Sequence, residues 1–106
     1  MKIIIVTTEE IPGKKISESL GIARGSTVRA RHLGRDIFAG LKNLVGGEIS
    51  EYTKLLADAR EESLSRMILD ADRMGADAVV NVRFTTSAVM QGCSEILAYG
   101  TAVKLS

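Results

Sequence analysis

A chain of 106 residues with 14 basic and 13 acidic side chains carries a formal net charge of +1, so no global field draws it to nucleic acid or to an anionic membrane. Its 45% apolar content suits a globular protein of about one domain, and with two Tyr, two Phe and no Trp the core falls to Ile, Val, Leu, Ala and Met. The one cysteine, Cys93, excludes an intrachain disulfide and points to a reducing compartment, the cytoplasm.

The N-terminus reads Met1-Lys2-Ile3-Ile4-Ile5-Val6 and turns polar at Thr7-Thr8-Glu9-Glu10. That apolar run is too short for a signal-peptide core or a membrane span. Ile3 to Thr7 is β-branched and predicts a strand covered on both faces. Pro12-Gly13 is a turn. Ile16, Glu18, Leu20 and Ile22 follow at period two, Gly25-Ser26 reads as a break, and Val28-Arg29-Ala30-Arg31 resumes the alternation. Lys14 to Arg31 therefore predicts a kinked or bulged strand pair. Arg35 to Asn43 predicts a short helix carrying Ile37, Phe38 and Leu41, with Leu44 beyond it and Gly46-Gly47 as the stop.

Glu48 to Met74 predicts one long helix, with Arg73 in the last turn and Gly75 as its C-cap. Ala78, Val80, Val82 and Phe84 alternate with Val79, Asn81, Arg83 and Thr85, a strand. Ser87 to Gly92 reads as a loop and Glu95 to Leu105 as the final strand, antiparallel to the one before. No repeat, low-complexity tract or linker divides residues 1–106, so one domain is expected.

On a helical wheel of about 100° per residue, Ile49, Tyr52, Leu56, Ala59, Met67 and Met74 cluster on one side of the long helix. Leu55 flanks them at one edge; Leu64, Ile68 and Ala71 extend the patch round the other, to roughly 200°, twice what a helix lying on one sheet needs. The polar strip holds Glu51, Lys54, Asp58, Glu61, Glu62, Ser65 and Asp72. Such girth calls for a second contact, and Leu64 and Ile68 are its candidate interface residues. Both faces of the last strand are also largely apolar, so a neighbouring subunit is the expected cover. Arg60 falls inside the apolar arc, where a guanidinium has to be paired or hold an anion.

Several segments together resemble a known family: Thr7-Thr8 with Pro12-Gly13, Leu20-Gly21-Ile22, Val45-Gly46-Gly47-Glu48-Ile49 before Tyr52-Thr53, and Ala59-Arg60. Gly75-Ala76-Asp77-Ala78-Val79-Val80 and Glu95-Ile96 with Ala98-Tyr99-Gly100-Thr101-Ala102-Val103 complete the set. This is similar to the YbjQ-like family, which bears a heavy-metal-binding label. The resemblance implies a dodecin-subunit-like α+β fold: a small antiparallel sheet packed on one long helix, with extra short strands that help build a ring, and pentamers as the assembly. It brings no activity with it. Asp77 stands where the family tends to have Asn, which keeps a polar role in the turn.

The metal label finds thin support in the residues. No Cys-x-x-Cys or His-x-x-x-His spacing occurs; Cys93 and His32 are the candidate ligands for a heavy-metal ion, with Met90 three residues before Cys93. Met67 and Met74 sit on the core side of the helix. In a ring, symmetry could gather several Cys93 thiolates; otherwise Cys93 is a free thiol and His32 a solvated loop side chain. A lone histidine leaves few nucleophile–base pairs, and no carboxylates are paired around a cleft, so no catalytic residue is named. Gly46-Gly47-Glu48 lacks the Lys-Ser/Thr of a P-loop and reads as a helix start. Arg24, Arg29, Arg31, His32 and Arg35 form a basic cluster suited to an anion or to intersubunit pairing with acids such as Glu9, Glu10 or Glu18. Sparse aromatics count against stacking single-stranded bases. The expectation is a cytoplasmic homo-oligomer, a pentamer by resemblance, that binds a small ligand or acts as a scaffold without catalysis. Heavy-metal binding is the alternative and an enzyme the last.

Overall fold

The computed structural model describes residues 2–29, 47–90 and 93–106. In chain order these form strand β1 (Ile4–Ile5), strand β2 (Ile16–Arg29), helix α1 (Gly47–Arg73), strand β3 (Ala78–Met90) and strand β4 (Cys93–Leu105). The sheet runs β1-β3-β4-β2. β3 and β4 are the expected antiparallel hairpin and β2 is antiparallel to β4, whereas β1 lies parallel to β3, so the sheet is mixed where the resemblance implies an antiparallel one. The fold is α+β, with a mixed sheet and one long helix on one face.

The helix ends where its sequence says. Gly75 takes φ +80°, its N–H donates to the Asp72 carbonyl and the Ala76 N–H to that of Ala71, the paired bonds that close a helix on a left-handed glycine. The next residue begins the sheet: Asp77 donates its N–H to the Val103 carbonyl, and its Oδ2 accepts the Leu105 N–H at 2.9 Å. The polar turn role expected of Asp77 is therefore filled.

β1 is short because it follows β3 only to a bulge. Ile4 and Val6 donate to the Asp77 and Val79 carbonyls, and beyond the strand Asn81 and Val82 donate back to Thr8 and Val6. At the bulge, between Val80 and Arg83, Asn81 has φ 55°, a left-handed value that asparagine tolerates better than most residues. Gly100 faces this kink from β4; a Cβ there would lie 2.6 Å from Val79 Cγ1.

Two expectations are corrected. β2 does not break at Gly25-Ser26; it is one strand from Ile16 to Arg29, with its irregularities at Ile16/Glu18 and Ser19/Gly21 instead. Gly25 is buried because α1 rests on it, and an added Cβ would fall on the helix backbone at Ser63, Arg66 and Met67. A glycine that reads as a turn is here a close approach between backbones. The expected loop over Ser87–Gly92 is also mostly strand: β3 runs to Met90 and β4 starts at Cys93. The short helix expected over Arg35–Asn43, and Ala30-Arg31 at the end of the strand pair, lie outside the described residues.

Among the described residues the core has two parts. Against α1 lie Ala23, Val79, Val82, Ala98 and Ala102, meeting Met67 and Ala71 of the helix; the small side chains of the strands let the helix sit close. On the opposite face Ile11 closes over Ala78, Val80 and Val103, with Ile4, Val6 and Leu105 at the margin. Both parts belong to the end of the sheet nearest Gly75. The molecule is long, with extents of 55 × 26 × 21 Å and a radius of gyration of 16.9 Å, against about 13 Å for a compact chain of this length.

Candidate functional site

Helix α1 presents Ala59, Ser63, Met67 and Ala71 to the sheet, a row at i, i+4 spacing. Ser63 is the polar member of that row and is fully buried. Its Oγ lies 2.8 Å from Thr27 Oγ1, 2.9 Å from the Ile96 carbonyl and 3.0 Å from that of Ala59. Each hydroxyl has one proton. Thr27 donating to Ser63, and Ser63 donating to Ile96, serves both hydroxyls and joins β2, α1 and β4 at one point. Thr27 and Ser63 were not singled out by their sequence; the only signal for Ser63 is its place in line with Ala59, Met67 and Ala71.

Beside this node the helix guards the outer margin of β2. Asp70 Oδ2 accepts the Arg24 N–H at 3.0 Å, and Arg66 donates to the Ser26 carbonyl while pairing with Glu62 one turn back. These are the backbone groups that β2 turns away from β4. Arg24 thus contributes its main chain to the fold and leaves its side chain exposed.

Arg60 does not have the buried setting expected for it. It is exposed, since the helix docks through Ala59 and Ser63 and Arg60 lies about 100° round from the first of them. Leu64 and Ile68 are half-buried and lean on the subunit's own core. The large apolar side chains left exposed among the described residues are others: Ile22 (61%), Leu69 (53%), Phe84 (44%), and Ile16 and Tyr99 (36% each).

At the far end of the sheet, register brings together residues that are distant in sequence. Met90 stands opposite Cys93, and Arg29 opposite Ser94. The main chains of one basic-cluster residue and of two soft-metal candidates therefore meet at the hairpin tip. Arg31, His32 and Arg35 lie outside the described residues. Among the described residues no group of three or more His, Cys, Asp or Glu side chains could hold a metal ion, so the described donors do not by themselves fit one. No described helix is long and apolar enough to cross a membrane.

A mixed four-stranded sheet backed by one long helix, with small-residue packing at one end and exposed apolar residues along its margins, defines a small α+β protein whose available surfaces are sheet margins and helix flank. Residues 3–106 match the model of the YbjQ family, described as "Putative heavy-metal-binding". The chain is 63% identical over 102 residues to a UPF0145 protein of Methanosarcina acetivorans, covering 96% of each. It is 64% identical over 104 residues to one of Archaeoglobus fulgidus, covering 98% of this chain and 96% of the relative. A UPF0145 protein of Thermus thermophilus is 53% identical over 105 residues, 99% of this chain and 92% of the relative. A solved structure from Pediococcus pentosaceus, a protein of unknown function of the DUF74 family, shares the fold with a TM-score of 0.65 at 15% identity, covering 98% of each chain. The chain belongs to the YbjQ family.

Proposed function

We propose that the protein works as a cytoplasmic homo-oligomer, without catalysis, that holds a small ligand between subunits or serves as a scaffold. One observation carries this reading. Ile22, Leu69 and Phe84, large apolar side chains on three different elements of an elongated subunit, are exposed and available for contact with a neighbouring subunit. A subunit number of five comes from the family resemblance. Arg24 and Arg60, exposed on β2 and α1, are the cations this reading assigns to an anionic ligand or to intersubunit pairs.

The test is the mass of the native particle by sedimentation or light scattering. A multiple of 11.4 kDa is expected, and Leu69→Lys together with Ile22→Lys lowers it toward the single subunit. A folded 11.4 kDa species at micromolar concentration would remove the proposal.

A second reading, heavy-metal binding, is supported by the family's description and by the register that sets Met90 opposite Cys93. Metal analysis of untagged protein separates the two: bound metal lost in Cys93→Ser and in His32→Ala supports it. Metal that is absent, or that survives both changes, discards these ligands.

A further inference from the structure

We propose that the sheet face turned away from α1 binds a small aromatic phosphate on the row Arg24, Tyr99 and Arg83. This rests on the anionic-ligand part of the reading above and needs no second subunit.

Register sets the row. Tyr99 on β4 stands opposite Arg24 on β2 and opposite Arg83 on β3, so three adjacent strands carry these residues in one line across the sheet. Alternation sets their direction. Ala23, Val82 and Ala98, each one residue earlier in the chain, are buried in the core against α1, so the side chains that follow leave from the opposite face. All three are exposed. The core on that face, under Ile11, takes in Ala78, Val80 and Val103 and stops short of the row.

Two like charges on either side of one ring call for a counterion. Strand spacing starts the two arginines about 10 Å apart with the ring between them. Among the described residues neither guanidinium meets a carboxylate. Arg83 commits Nη1 to the Thr7 and Val82 carbonyls at 2.8 and 2.9 Å, which anchors the group and leaves its other nitrogens for a ligand. Arg24 is tied to Asp70 through its main-chain N–H, and its side chain takes no part in that bond. Glu95 shares the face but stands four residues along β4 from Tyr99, roughly 13 Å.

The chemistry of the row selects its ligand. A guanidinium fork matches a phosphate through two parallel N–H bonds. A phosphate monoester carries about −1.5 to −2 charges at neutral pH, which balances two arginines where one carboxylate does not. Tyr99 offers a partly exposed ring on which a second flat group stacks, and Ile22 and Leu97, in the rows on either side, give that group apolar neighbours. One aromatic side chain seats one ring, so the row suits a small molecule and not a strand of stacked bases.

The experiment titrates the full chain with 1-naphthyl phosphate by calorimetry. Saturable binding is expected, with inorganic phosphate and uncharged 1-naphthol each at least about tenfold weaker. Arg24→Gln removes one guanidinium, and Tyr99→Leu keeps apolar bulk while removing the ring; each should weaken binding about tenfold or more. Tyr99→Phe, which keeps the ring, and Arg60→Gln, on α1, should bind as wild type does. Circular dichroism should be the same in all four variants. Arg83 is left in place because it also ties β3 to Thr7. An absence of saturable binding, inorganic phosphate as tight as the aromatic probe, or full affinity in Arg24→Gln or Tyr99→Leu overturns the proposal. So does a loss of native mass in those two variants when wild type binds no probe, which assigns the face to a second copy of the chain. A wild-type monomer that binds the probe supports this site and removes the assembly reading, whereas an oligomer that binds none removes only this site.

Discussion

The end of the sheet nearest Gly75 and the end that reaches Met90 and Cys93 are built on opposite terms. At the near end everything closes: Gly75 ends the helix, Asp77 holds the last strand, and Ile11 covers one face while Met67 and Ala71 cover the other. Toward the far end Phe84 stands exposed and, among the described residues, β3 has left its neighbour β1 behind. The near end and the Gly25–Ser63 seam beside it make the subunit fold. The far end and the outer margins are where the proposed assembly would draw its contacts, so changes in the two regions should show in different measurements, stability in the first and mass in the second.

The largest effect that could break this division is at Gly25. Gly25→Val puts its side chain into the backbone of α1 and should cost about 3 kcal/mol or more, or prevent folding, as read by urea denaturation. A midpoint near that of wild type would show that the helix does not rest there.

A middle-sized effect tests the hydroxyl node. Ser63→Ala removes the bond to the Ile96 carbonyl and leaves Thr27 Oγ1 only the Ala59 carbonyl, 3.3 Å away, and should cost about 1–2 kcal/mol. Thr27→Val in the same chain should cost less than it does alone, because its partner is already gone; strict additivity in this double-mutant cycle would mean that the two hydroxyls do not act together.

The smallest effect sharpens the boundary between the regions. Asn81 sits in left-handed conformation at the bulge where β1 gives out. Asn81→Ala should cost about 1 kcal/mol and Asn81→Gly much less, both without change in particle mass. Equal melting temperatures for the two variants would show that the backbone there is not held at positive φ.

Much of the architecture is legible in single residues and their spacing. Gly75 marks the end of the helix because only a residue without Cβ takes its φ freely, and the alternation of Ala78 to Thr85 marks a strand because side chains there change face at each step. The margin of the site is less legible. A wheel shows how wide an apolar arc is and leaves open which meridian meets the sheet; docking through Ala59, Ser63, Met67 and Ala71 draws Leu64 and Ile68 toward the core and leaves Arg60 and Leu69 outside. Ser63 could not be told from a surface serine until Thr27 and Ile96 were placed beside it.

What the amino-acid order determined by itself was the local and periodic: the long helix and its cap, the final hairpin, an apolar surplus, and motifs enough to reveal the family. What only the tertiary structure decided was whatever depends on two distant stretches meeting. Gly25 became a seat for the helix instead of a break, Arg29 and Cys93 came to one end of the sheet, and the outer edge of β2 was capped by Asp70 and Arg66 of the helix. Propensity and periodicity act over a few neighbouring residues; register and docking are set by packing between segments far apart in the chain.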